Sequence, residues 1–247
     1  MGTIVPSTEL IAPAKLTLSL RITDVRADGY HLIDAEMVSL DIADVLRITA
    51  AETTSISVSG PYGAGVPTDS SNLVAKALEL AGRTAHVEIT KNIPNGGGLG
   101  GGSSDAAAVM RWAGLSDLNV AVRVGADVPY CLVGARSRVR GIGEIVEPLS
   151  PAPEPITLIV LPVHCPTPLV YKQWDEMGGP RGEHENDLEP AACVAVPELA
   201  MWRERIVATG HMPTLAGSGS TWFVRGHHPE IAPALPGAQV HLATTLN

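Results

Sequence analysis

Apolar and polar positions alternate cleanly over residues 16–23. Leu16, Leu18, Leu20 and Ile22 fall on one face, and Thr17, Ser19, Arg21 and Thr23 on the other. A period of two predicts a half-buried strand. Asp28-Gly29-Tyr30-His31 reads as a turn into a second strand near 32–41, and residues 47–49, 55–59 and 86–90 predict three more. Residues 72–81 instead carry Leu73, Ala77 and Leu80 at helical spacing, with Gly82 as a stop. Further along, the pattern predicts a helix opening at Ser103, Ser104 and Asp105, and a short helix capped by Ser116 and ending by Gly125. Strands near 137–147, a buried strand over 156–161, helices over 168–176 and 199–208, and a last strand over 239–244 complete the set. The polar, Gly-rich stretch 178–189 predicts a mobile loop. Pro151, Pro153 and Pro155 form a stiff connector, the best candidate boundary, which divides the chain into units 1–150 and 151–247.

Composition changes this picture little, but it excludes some functions. At 247 residues with 45% hydrophobic side chains, the chain can bury a sizeable core. A net charge of −9 argues against nucleic acid as a partner, since phosphate-backbone binding needs a basic face. The sequence contains no apolar run near the ~20 residues of a membrane span, and the first residues lack the pattern of a signal peptide. Cys131, Cys165 and Cys193 are odd in number and lack metal-ligand spacing, which suits a reducing cytoplasm. His164, His184, His227 and His228 also lack such spacing and read as ordinary surface or core residues.

One stretch stands apart. Between Pro94 and Asp105 six of twelve residues are glycine, and Ala106-Ala107-Ala108 follow. Glycine is the costliest residue to order, so this run implies a close approach of backbone to something. A glycine arch delivered to a helix N-terminus presents N–H donors and the positive end of the helix dipole to one spot, an anion site suited to phosphate. The pattern G-x-x-x-x-G-K-[ST] fails, because no lysine precedes Ser103 or Ser104. A dinucleotide G-x-G-x-x-G match at Gly96, Gly98 and Gly101 is nearly free among so many glycines, and no strand feeds directly into it. A flexible linker would not embed Leu99 or lead into an alanine helix.

The segment Pro94 to Ser104 resembles, along its length, the Pro-x-x-x-Gly-Leu-Gly-x-x-Ser-Ser loop of the GHMP small-molecule kinases. Other segments match in order: Ala12-Pro13-Ala14-Lys15, Ala27-Asp28-Gly29-Tyr30-His31, Gly125-Ala126-Asp127-Val128-Pro129, Gly141-Ile142-Gly143-Glu144, Pro166-Thr167-Pro168, Asn186-Asp187-Leu188-Glu189 and Gly217-Ser218-Gly219. The Asp-Gly-Tyr-His and Gly-Ala-Asp-Val-Pro segments narrow the resemblance to one branch. Its acceptor is the 2-hydroxyl of 4-diphosphocytidyl-2-C-methyl-D-erythritol, in isoprenoid precursor synthesis by the non-mevalonate route. The resemblance implies an α+β, two-lobed fold, with the phosphate loop in the N-terminal lobe and a ferredoxin-like C-terminal lobe. It also implies ATP with Mg²⁺, and a cytoplasmic enzyme whose partner is a small molecule rather than nucleic acid or membrane.

The same resemblance assigns roles. Pro94, Gly96, Gly97, Gly98, Leu99, Gly100, Gly101, Gly102, Ser103 and Ser104 would hold the ATP phosphates, and Ser103 and Ser104 are candidate metal ligands. Asp127 would be the base and Lys15 the electrostatic stabiliser, roles that phosphoryl transfer to a hydroxyl requires. Thr17, Tyr30, His31, Thr167, Pro168, Tyr171, Gly217 and Ser218 would form the acceptor pocket, with Tyr30 and Tyr171 sandwiching the base. Two features depart from the family pattern. Thr17 stands where an Asn is usual, which implies weaker acceptor positioning, and residues 106–124 are short, which implies less support for the arch and the adenine pocket. A kinase for another small alcohol and a catalytically silent nucleotide binder stay open as rivals.

Overall fold

The computed structural model describes residues 7–247. Two long antiparallel strands, β1 (Ser7–Val25) and β2 (His31–Ala50), run side by side. They are followed by β3 (Ser55–Ser59), helix α1 (Leu73–Leu80) and β4 (Ala85–Thr90). Strands β3 and β4 pair in parallel, with α1 as the crossover, and Asn72 caps that helix by accepting the N–H of Val74 at 2.9 Å. Next come α2 (Gly101–Trp112), α3 (Leu118–Ala121), α4 (Val128–Val133), β5 (Ser137–Gly141) and β6 (Ile145–Pro148). The first sheet has the order β3-β4-β2-β5-β6, with β1 on the other edge of β2. Residues 47–49 are therefore not a separate strand. β2 runs through them because β1 and β4 pair with it on both sides.

The second half supplies β7 (Pro155–Val160), α5 (Thr167–Glu176), α6 (Glu189–Ala195), α7 (Pro197–Val207), β8 (Thr214–Leu215), β9 (Trp222–Arg225), α8 (Ile231–Ala234) and β10 (Gln239–Thr244). Its antiparallel sheet has the order β10-β7-β9-β8, which is 4-1-3-2 in its own count, the ferredoxin-like arrangement. The expected α+β class holds. Among the described residues no helix is long and apolar enough to cross a membrane.

The alternation read in residues 16–23 is real, but it does not keep one face. The β1–β2 register shifts between Pro13 and Lys15 and again between Thr17 and Ser19. Each bulge rolls the strand over. Ala12, Leu20 and Ile22 consequently pack in the core beneath α1 and α2, whereas Ala14, Leu16 and Leu18 join a second core between the sheets. That second core holds Val38, Leu40, Ile156, Leu158 and Phe223, and also Leu99 from the glycine arch. Thr17 and Arg21, which an uninterrupted strand would place together, part company. Thr17 lines the cavity described below, while Arg21 reaches Asp187 at 2.8 Å.

Two further expectations fail for local reasons. Asp117, not Ser116, caps α3, because its carboxylate accepts the N–H groups of Asn119 and Val120, and the helix ends at Ala121. Residues 178–189 are pinned rather than loose. The fully buried Asp187 accepts from Arg21, Arg181 and the N–H groups of Ile22 and Gly182 at 2.8–3.1 Å. Buried charge demands such partners, and they fasten the segment to β1.

Candidate active site

A cavity of about 460 Å³ opens where segments distant in the chain converge. Lys15 and Thr17, from the stretch of β1 between the bulges, meet Gly98 of the arch, Ser103 of α2 and Asp127 just ahead of α4. The turn residues Gly217 and Ser218 and the start of α5, with Thr167, Pro168 and Tyr171, close another side. Tyr30, exposed, and His31, largely covered, line a further part, and Leu20, Ile33, Met37, Ile142 and Leu188 provide apolar walls. The sequence reading missed this apolar lining, since nothing local distinguishes those side chains from core.

The arch is shaped by what it packs on. Gly96, Gly98 and Gly100 adopt left-handed backbone angles, with φ of 73°, 75° and 68°. A Cβ on Gly98 would lie 2.9 Å from the carbonyl oxygens of Ala216 and Gly219, and one on Gly100 would lie 2.5 Å from Lys15 Cγ. The close approach inferred from the glycines is therefore first of all to the Ala216–Gly219 turn and the lysine stem. Leu99 plugs the core between the sheets, and its carbonyl accepts the Lys15 N–H at 2.9 Å. Gly100 is the N-cap of α2, so Ser103 lies inside its first turn and Ser104 and Asp105 lie deeper in the helix, rather than opening it. First-turn N–H groups have no partner within the helix and are free for an anion. Ser103 faces the cavity, whereas Ser104 is buried on the inner side of the helix at 1% exposure, so only Ser103 is placed to touch a metal.

Lys15 Nζ lies 3.2 Å from Asp127 Oδ2 and donates to Thr17 Oγ1 at 3.1 Å. The lysine is buried, while the aspartate side chain is one-third exposed to the cavity. Asp127 occupies the N-cap position of α4, yet its side chain makes no capping bond. The ion pair takes it instead. Beside it, Gly143 backs onto Ala126 so closely that a Cβ would sit 2.3 Å from that carbonyl oxygen. Tyr171 is pushed up to about 12 by burial, with the Asp127 charge adding to the effect.

At the other end of the cavity, Tyr171 meets the His31 ring, with centroids 4.7 Å apart. Trp174 abuts the same imidazole edge-on, and Asp175 accepts from His31 Nε2 at 2.8 Å. Tyr30 is exposed at the rim, beside the Arg26 guanidinium. The geometry thus sets His31 against Tyr171, while Tyr30, expected to sandwich the base with Tyr171, lines the same cavity from the rim. Thr167 Oγ1 and Ser218 Oγ are 2.8 Å apart and join α5 to the glycine turn. Asn186 steadies that turn from behind, donating to the carbonyls of Leu215 and Gly217 at 2.7 Å.

Behind the arch lies a cluster that no motif announces. Lys91 Nζ donates to Asp44 and, at 2.7 Å, to Asp105, and all three residues are at most 3% exposed. Asp44 also accepts the N–H groups of Asn92 and Ile93 at 2.6 and 2.9 Å. The cluster ties β2, the approach to the arch and the N-terminal half of α2 together. Burial works against the ammonium, but the two carboxylates hold the Lys91 pKa above its ordinary value. The pKa of Asp105 is pushed up to about 7, chiefly by burial and further by Asp44.

Residues 72–135, which span α1, the arch, α2 and Asp127, match the family model described as GHMP kinases N terminal domain. A homoserine kinase from Cytophaga hutchinsonii has the same fold, with a TM-score of 0.67 at 18% identity over all of this chain and 96% of its own. With the family-model match, a glycine arch feeding a helix and a lysine–aspartate pair on the same cavity mark a small-molecule kinase of the GHMP class. Among closer relatives, a 4-diphosphocytidyl-2-C-methyl-D-erythritol kinase from Cereibacter sphaeroides is 38% identical over 245 residues, 87% of this chain and 88% of its own. One from Ruegeria pomeroyi is 40% identical over 246 residues, 87% of each. A crystal structure of 4-(cytidine 5'-diphospho)-2C-methyl-D-erythritol kinase aligns with a TM-score of 0.77 at 30% identity, over 97% of this chain and all of its own. The chain belongs to the 4-diphosphocytidyl-2-C-methyl-D-erythritol kinase family.

Proposed function

We propose that this chain transfers the γ-phosphoryl group of ATP to the 2-hydroxyl of 4-diphosphocytidyl-2-C-methyl-D-erythritol, in isoprenoid precursor synthesis. The observation that carries this reading is the Lys15–Asp127 pair, 3.2 Å apart, on a cavity that the arch and the first turn of α2 also reach. Phosphoryl transfer asks little of the protein beyond positioning and charge. The arch from Pro94 to Gly102, with Ser103, cradles the phosphates, and α2 lends its dipole. Asp127 orients the acceptor hydroxyl and takes its proton. Lys15 offsets the charge that builds on the transferring group, and its ammonium is aimed by Thr17 and Asp127. Thr17 thus supplies through its hydroxyl an acceptor for Lys15, and it leaves the O–H hydrogen for the substrate.

At the cytidine end, His31 and Tyr171 offer ring faces and edges to the base, with Tyr30, Thr167, Pro168, Gly217 and Ser218 completing the wall. The donor set fits a magnesium ion carried in with the nucleotide. Ser103 presents an oxygen ligand, and a hard cation needs few protein ligands when phosphates supply the rest. When bound, the ion would help neutralise the phosphates. The three free cysteines suit a reducing, cytoplasmic setting.

The test is ADP release with Mg·ATP and 4-diphosphocytidyl-2-C-methyl-D-erythritol, run beside mevalonate and homoserine, with Asp127→Asn as control. Turnover on the cytidyl substrate alone, abolished in the variant, is the expected result. Turnover on another alcohol would keep the mechanism and discard the pocket. Binding without turnover would leave a silent binder.

A further inference from the structure

We propose that His211, His228 and Glu230, outside the catalytic cavity, form a binding site for a divalent transition-metal cation, with zinc the best match. His211 Nε2 lies 3.4 Å and His228 Nδ1 3.1 Å from the same Glu230 Oε1, and one ligand atom from each residue fits within 4.8 Å of the other two. Zinc bonds of about 2.0–2.1 Å in a tetrahedron place ligands about 3.3–3.4 Å apart. One edge already has that length, the second is slightly shorter, and the third, within 4.8 Å, closes with a turn of the His211 ring. Two histidines and a glutamate are a donor set zinc favours, with a fourth position left for water.

Hydrogen placement argues the same way. His228 Nε2 lies 2.9 Å from the Arg225 carbonyl oxygen, which can only accept, so Nε2 carries the hydrogen. Nδ1 is the nitrogen left facing the Glu230 carboxylate, the His211 ring lies beside it with centroids 4.1 Å apart, and a carbonyl on the remote ring nitrogen is the usual outer partner of a metal-bound histidine.

The ring is also held in place. A Cβ on Gly226, whose φ is +96°, would lie 2.5 Å from His228 Nε2, so the glycine is what lets the imidazole lie there. The His228 N–H donates to Thr157 Oγ1 of β7 at 2.9 Å. A cation here would clamp the α7–β8 connector to the β9–α8 turn, and so brace β8, which leads into the Gly217–Ser218 turn of the active site.

The test is titration of the full chain, free of any histidine tag, with Co²⁺ in excess Mg²⁺, followed by displacement with Zn²⁺. The expected result is one equivalent bound with the intense visible bands of four-coordinate cobalt, and a melting temperature that rises with zinc. His211→Ala and His228→Ala should each weaken uptake roughly 10-fold or more, with kinase activity and the metal-free melting temperature kept. Absence of stoichiometric uptake, a weak six-coordinate spectrum, or unchanged uptake in the double variant would overturn the proposal.

Discussion

Replacing Lys91 by methionine removes one charge from the cluster behind the arch while nearly preserving side-chain length. In the native protein one ammonium serves two carboxylates, and Asp44, Lys91 and Asp105 are 0%, 2% and 3% exposed. The variant leaves two carboxyl groups out of reach of water with no cation between them, and Asp105, whose pKa is already raised to about 7, must take up a proton. Removing one partner of a buried ion pair costs about 3–5 kcal/mol. For a chain of this size each kcal/mol lowers the melting temperature by roughly 2–4 °C. The expected fall is therefore roughly 6–20 °C. Because Asp44 also holds the backbone of Asn92 and Ile93, just ahead of the arch, KM for ATP should rise as well. Asp105→Asn is the informative partner. It keeps an oxygen for Lys91, offers an N–H to Asp44 and removes the excess negative charge, so it should melt near the native protein. The reasoning fails if Lys91→Met melts within about 2 °C of the native chain, or if Asp105→Asn is equally damaging.

Asp127→Asn should lower kcat by about 10²–10⁴-fold with little change in melting temperature, as initial-rate assays and a thermal melt would show together. Gly98→Ala forces a side chain into a left-handed position against two carbonyl oxygens. It should cost about 1–3 kcal/mol and raise KM for ATP, read by denaturation and kinetics. His31→Leu should raise KM for the cytidyl substrate while leaving KM for ATP unchanged, the signature of lost acceptor binding. Asp105 has a folded-state pKa raised to about 7 from 3.8. Its contribution to stability is therefore full below about pH 4 and is lost as pH rises towards 7. Melting curves from pH 5 to 8 should show Asp105→Asn gaining on the native protein as pH rises, and a constant difference would refute this.

The sequence alone carried whatever is local. Period-two and helical spacing placed β1, α1, β4 and β10, because those patterns depend only on neighbours along the chain. The glycine run leading into alanines marked the arch and α2, since only a few backbone geometries require so many glycines. Lys15 and Asp127 were legible as candidates through their flanking segments. That they meet at 3.2 Å was decided by the register of β1 on β2, where two bulges turn Lys15 and Thr17 towards the cavity. Sheet pairing and packing likewise set His31 against Tyr171 and buried Lys91 between Asp44 and Asp105. They also pinned 178–189 through Asp187 and brought His211 beside His228. Each of these joins residues far apart in sequence. Such contacts depend on how whole elements dock, and no window of neighbouring residues encodes that.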